Sequence, residues 1–221
     1  MRIFAKTVLA LILLSGCAQT RDGDGFSAGA PSSKQQGRWE WAWDGSDALD
    51  VAVPATVHYQ RGGPARISIS GPEDVLAQLR VSRGQIRFCE GCRGGREPLN
   101  ITVGGVALHR VALAGGSENL QLGKLDQDNL RLAISGSGHA SADGRISRLE
   151  LSISGSGTVQ MADARVQRAD IHIAGSGNVS VTPSEEANVH VAGSGNIRMK
   201  ARPPRLSQFI TGSGGVRVMG N

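Results

Sequence analysis

A tripeptide, Gly-Ser-Gly, returns five times in the second half of the chain, with first glycines at Gly136, Gly155, Gly175, Gly193 and Gly212. The intervals are 19, 20, 18 and 19 residues. Aligned on that glycine, the position two before it reads Ile134, Ile153, Ile173, Val191 and Ile210. Four before it stand Leu132, Leu151, Ile171, Val189 and Gln208, and six before it Leu130, Leu149, Ala169, Ala187 and Leu206. Four after it stand Ala140, Val159, Val179, Ile197 and Val216, and six after it Ala142, Met161, Val181, Met199 and Val218. Only Gln208 among them is not apolar. An apolar period of two describes strands with one face turned inward. Each unit of about 19 residues therefore holds two short strands joined at Gly-Ser-Gly.

A unit this short cannot bury its apolar face alone. Stacking in parallel buries it, because equivalent residues then lie ~4.8 Å apart on successive rungs. The expected fold is all-β, a parallel β-helix (β-solenoid) with ~19-residue coils. An antiparallel meander would not require like residues in like register. Weaker copies come earlier: Leu113-Ala114-Gly115-Gly116-Ser117 with one extra residue, Leu99–Gly104, and Ile67-Ser68-Ile69-Ser70-Gly71 leading to Val75. The solenoid is thus expected to begin near residue 48 and to be less regular before residue 110. The Gly-Ser-Gly turns are not phosphate loops, since no Lys-Ser/Thr follows the glycines.

The amino end reads as an address. Arg2 and Lys6 precede the apolar run Thr7–Leu14, which is too short for a permanent span. Leu14-Ser15-Gly16-Cys17 resembles a bacterial lipobox, in which the Cys is lipidated and becomes the mature amino terminus. Residues 1–16 are then a lipoprotein signal peptide, and Cys17 an acylated, palmitate-type anchor. Ala18 after the Cys points by the same resemblance to the outer membrane, facing periplasm or surface. Residues 17–37, rich in Gly, Ser and Gln, read as a flexible tether, and residues 38–221 as the solenoid domain.

Composition narrows the function. The net charge is +5, and two of the basic residues lie in the leader, too small an excess for a nucleic-acid partner. No His-Glu-x-x-His or Walker motif occurs, so no enzyme class and no cofactor is indicated.

The segments Ala48-Leu49-Asp50-Val51-Ala52-Val53-Pro54-Ala55 and Ile67–Glu73 with Val75-Leu76, followed by the Gly-Ser-Gly coils to Val218, resemble the auto-transporter adhesin head GIN domain family of bacterial exported proteins. The resemblance covers about Trp43 to the carboxyl end. It implies a right-handed parallel β-helix, exposure in the periplasm or at the surface, and no established enzymatic activity. Cys89 and Cys92 are not a feature of that pattern.

Three sets of residues stand out as candidate sites. Cys89 and Cys92 remain as an even pair once Cys17 is lipidated, and are expected to form a local disulfide. His172 and His190 fall on successive rungs of an outward face, with Asp170 and Asn188 two residues earlier. That patch is a candidate for a divalent metal, with a plain solvated face as the other reading. Trp39, Trp41 and Trp43 alternate and share one side; they either cap the end of the solenoid or form a stacking platform for a ligand. The expected function is a lipid-anchored, non-catalytic binding or adhesin-like module of the cell envelope, with an envelope protein or glycan as ligand. An envelope carbohydrate-active enzyme is the alternative. An open parallel edge near Asn221 invites a homodimer.

Overall fold

The structure, a computed structural model, describes residues 28–43, 46–95, 97–105 and 107–220. The expected signal peptide and the expected lipidation site Cys17 lie outside the described residues. In chain order the elements are β1 (Ser33–Gln35), β2 (Arg38–Ala42), β3 (Ala48–Val51), β4 (Ala55–Gln60), β5 (Arg66–Ser70), α1 (Glu73–Leu76), β6 (Leu79–Ser82), β7 (Gln85–Phe88) and β8 (Leu99–Gly104). There follow β9 (Arg110–Gly116) and four long bent strands, β10 (Asn119–Gly136), β11 (His139–Gly155), β12 (Thr158–Gly175) and β13 (Asn178–Gly193). The chain then runs through β14 (Asn196–Met199), β15 (Arg205–Thr211) and β16 (Gly215–Val218).

The repeats stack as parallel rungs in register. Leu132 pairs with Leu151, Leu151 with Ile171, Ile171 with Val189, and Val189 with Gln208. The four copies from Leu130 to Met199 bury every one of the five aligned positions. Full burial of each branched side chain is worth about 1.5–3 kcal/mol, so the apolar columns supply the main driving force. In the last copy Leu206, Ile210, Val216 and Val218 are only half-buried, and Phe209 and Met219 are exposed.

The turn needs glycine for two separate reasons. Gly155 has φ of +126°, and a Cβ there would stand 2.5 Å from the carbonyl oxygen of Gly136 one rung below. The second glycine faces inward: a Cβ on Gly195 would lie 2.7 Å from Cγ2 of Ile173. The first Gly-Ser turn departs from this rule. The register between β9 and β10 shifts by one residue at Gly116, which accommodates the extra residue at Gly115. Glu118 occupies the column held by Gly138, Gly157 and Gly177 in later coils. Glu118 is 1% exposed, and its carboxylate has no hydrogen-bond partner among the described residues. A Cβ on Gly115 would collide with it, so the extra glycine makes the room that Glu118 fills.

The amino-terminal part does not follow chain order. β3 lies between β7 and β9, and β4 between β8 and β10, all parallel. The rung made by β7 and β8 is therefore inserted outside the rung made by β3 and β4, which precedes it in sequence. Residues 107–109 then pass the β3–β4 rung to reach β9. Leu108 is buried in that passage, its carbonyl accepts from the Gln127 side-chain amide at 2.9 Å, and its backbone bonds the Tyr59 hydroxyl. Burial raises the Tyr59 phenol above its ordinary value.

Antiparallel strands close this end: β8 pairs with β5, β5 with β2, β2 with β1, and β7 with β6. Two expectations are corrected here. Ile67–Gly71 is not a coil of the solenoid but part of an antiparallel strand, because its partners β2 and β8 run the other way. The tether expected through residue 37 ends earlier: Ser33–Gln35 forms a hairpin with Arg38–Glu40, Ala28 is buried, and the Gly29 amide donates to Val81 at 2.9 Å.

Candidate functional site

The structure sets the three sequence candidates in different surroundings. Trp39, Trp41 and Trp43 belong to the hydrophobic core, 8%, 4% and 9% exposed. Each indole N–H is spent internally: on Glu73 Oε1 at 3.0 Å, on the Gly29 carbonyl at 3.2 Å and on the Ser46 carbonyl at 2.6 Å. With ring faces covered and donors used, they offer a ligand no platform; they fill the antiparallel closure. Cys89 and Cys92 are joined as a disulfide, with Cα atoms 5.3 Å apart, in the connection between β7 and β8.

His172 and His190 do meet on neighbouring rungs. Their rings stack with centroids 4.9 Å apart and planes 10° from parallel, and Phe209 continues the stack at 6.2 Å. Parallel rings aim their in-plane nitrogens side by side rather than at one point, which does not suit shared coordination. Asp170 is engaged by the Asn188 amide at 2.9 Å, and no group of three metal-ligating side chains occurs among the described residues. With Ser152, Ser154, Ala174, Ala192 and Thr211 the stack forms a shallow hollow of about 320 Å³.

A larger feature lies on another outer face of the solenoid, where β4, the first segments of β10–β13, and β14 lie side by side. Their inward residues build the core, so the alternate residues must point out. One outward column runs Asn119, His139, Thr158, Asn178, Asn196. A second runs His58, Gln121, Ser141, Gln160, Ser180, Arg198. The second column, with Thr158, Asn178 and Asn196 of the first, floors an open groove of about 620 Å³, rimmed by Asp143 and Asp163. Five inter-strand steps of ~4.8 Å give it a length of about 24 Å.

The floor is rich in uncommitted donors and acceptors. The side chains of Gln121, Thr158, Gln160 and Ser180 have no partner among the described residues. The rim carboxylates, by contrast, are committed. Asp143 Oδ1 accepts the Lys124 amide at 2.6 Å, and Asp163 Oδ1 accepts from Lys200 Nζ at 2.8 Å. The Lys200 hydrogen bond and charge hold the exposed Asp163 carboxyl below the usual carboxylate range.

Sequence reasoning overlooked this groove because it followed the apolar columns. The signal was present at the outward positions three and five after each first glycine, where amide and hydroxyl side chains recur from coil to coil.

The fold has solved relatives. A crystal structure described as "a putative adhesin" from Bacteroides fragilis superposes with a TM-score of 0.65 at 18% identity, covering 85% of this chain and 99% of that one. A "putative lipid binding protein" from Parabacteroides distasonis reaches 0.49 at 19% identity, covering 81% and 94%. A "putative adhesin" from Parabacteroides merdae reaches 0.47 at 18%, with the same coverage. No curated protein matches the chain. The family model described as "Putative auto-transporter adhesin, head GIN domain" matches residues 47–203, more than half of the chain. With its stacked Gly-Ser-Gly coils and that match, the chain belongs to the auto-transporter adhesin head GIN domain family.

Proposed function

We propose that this protein is a non-catalytic binding module of the cell envelope, and that it holds an extended glycan across the groove on β4 and β10–β14. The observation that carries the reading is the pair of outward columns with unpaired amides and hydroxyls. Side chains of this kind exchange hydrogen bonds with sugar hydroxyls without a charge requirement. Their spacing of ~4.8 Å is close to the length of one sugar residue in an extended chain, so contacts repeat rung by rung. Lipidation at Cys17, with sorting to the outer membrane, would tether the domain through the residues before Ala28.

A carbohydrate-active enzyme would rest on Asp143 and Asp163, which rim the same groove. A general acid needs a carboxyl whose proton is retained near neutrality, and Lys200 drives Asp163 the opposite way. Binding without turnover is therefore the better reading.

The test is a glycan array with the full chain, followed by calorimetry on the best ligands. The variant Gln121→Ala/Gln160→Ala should weaken binding at least tenfold while leaving the melting temperature in place. Unchanged binding in that variant, or release of shortened sugars by the wild type, would defeat the reading. Palmitate labelling of the wild type but not of Cys17→Ser tests the anchor.

A further inference from the structure

The second outward column changes character at one end. It carries Ser141, Gln160 and Ser180 on three rungs, then Arg198, and Arg217 pairs with Arg198 on the next strand. Like charges on directly opposed positions of neighbouring strands destabilise the pair. Four other arginines on the rungs are each offset by an acid. Arg110 meets Asp47 at 3.6 Å, Arg131 meets Glu150 at 2.6 Å, Arg168 meets Glu185 at 3.0 Å and Arg205 meets Glu186 at 3.2 Å.

Arg198 and Arg217 are different. Neither forms an ion pair among the described residues, and β14 and β16 contain no Asp or Glu. Lys200, which follows β14, is not part of the excess, because Asp163 already holds it. Arg198 also lines the groove, one rung beyond Ser180. A chain whose hydroxyls lie over Gln160 and Ser180 would bring its next substituent onto a guanidinium without a counter-charge. Guanidinium groups present a planar fork that fits carboxylate and phosphate oxygens.

We infer that the glycan held in this groove is anionic, and that Arg198 with Arg217 receives its carboxylate or phosphate group. The inference rests on the groove reading above and adds the class of ligand and its direction along the solenoid.

Three polymers with one backbone test it: dextran, carboxymethyl-dextran and dextran phosphate, titrated into the full chain by calorimetry at low salt. Either anionic dextran, or both, should bind about tenfold more tightly than plain dextran, the size of one added charge-assisted contact. Preference for the carboxymethyl form identifies a uronate-like ligand, and preference for the phosphate form a phosphorylated one. Arg198→Gln and Arg217→Gln should each remove most of that gain and leave plain dextran unaffected. Arg93→Gln, an equal loss of charge on the exposed loop near the disulfide, should keep the gain. Equal binding of all three polymers would overturn the inference and leave the groove reading standing. No binding of any of them would overturn both. A loss in Arg93→Gln as large as in Arg198→Gln would reduce the gain to net charge and also overturn the inference.

Discussion

From Leu130 to Met199 each coil is held by copies of itself, whereas from Ala28 to Gly105 almost every segment packs against something unlike it. In the regular coils, one residue type repeated down a column satisfies packing, register and turn geometry together. At the amino-terminal end those tasks are divided. Three tryptophans cover the core, antiparallel strands occupy the sheet edge, and a disulfide closes one connection. The lesson is that a stack needs repetition only for its interior; its end requires residues found nowhere else in the chain.

Four measurements would break or sharpen this contrast. The largest effect is expected from Trp41→Ala, which empties a buried aromatic site at the cost of about 3–5 kcal/mol. If the closure is energetically separate from the coils, hydrogen exchange should quicken in β2, β5 and β6 while β12 keeps its protection. Equal loss of protection in β12 would show a single cooperative unit.

Gly155→Ala strikes the regular part instead. Backbone strain of about 1–3 kcal/mol adds to crowding against Gly136 of about 1–3 kcal/mol. A total near 3 kcal/mol should appear in denaturant unfolding, with β11 and β12 exchanging first. A loss under about 0.5 kcal/mol, the usual range for an uninvolved surface site, would refute the role given to this turn.

Glu118→Gly should act in the other direction. It restores the glycine column and removes a buried acceptor without a partner, worth about 1–3 kcal/mol. Against this stands the added freedom of the unfolded backbone, about 0.5–1 kcal/mol. A net gain of about 1 kcal/mol in chemical denaturation is expected, and a loss would mean that the carboxylate is satisfied in solution.

The smallest effect belongs to Lys200→Gln. Asp163 titrates below its ordinary range in the folded chain, so its contribution is present above the unfolded value and is lost as pH falls through the lowered folded value. Removing the ammonium should shift the Asp163 carbon resonance titration upward, towards ordinary carboxylates. Both side chains are exposed, so thermal stability at neutral pH should not move.

What could be read from the sequence follows the same division. Ile153, Ile173 and Val191 announce their partners because each is its neighbour's equivalent, and phasing with glycine fixes the register. The extra residue at Gly115 was visible in the same way, as a broken interval. Ile67 and Ile69 have the same alternation as a coil strand, yet pair antiparallel, since strand direction is not written in a period of two. The tryptophans showed that they share a side but not what would cover it. Gln121 and Gln160 escaped notice because outward positions bear no packing constraint, and only the folded stack shows that they meet across one groove.

The order of rungs at the amino-terminal end has a consequence for how the molecule is made. β3 and β4 leave the ribosome, or an export pore, before either of their neighbours exists. They wait for β7 and β8 on one side and for β9 and β10 on the other. A nascent chain halted short of Gln85 therefore carries strands with two bare edges, and one halted short of Arg110 still carries one, a form open to stray pairing and a natural client for a holding chaperone. Assembly that begins among the late, self-similar coils and recruits the earlier strands backwards avoids that exposure.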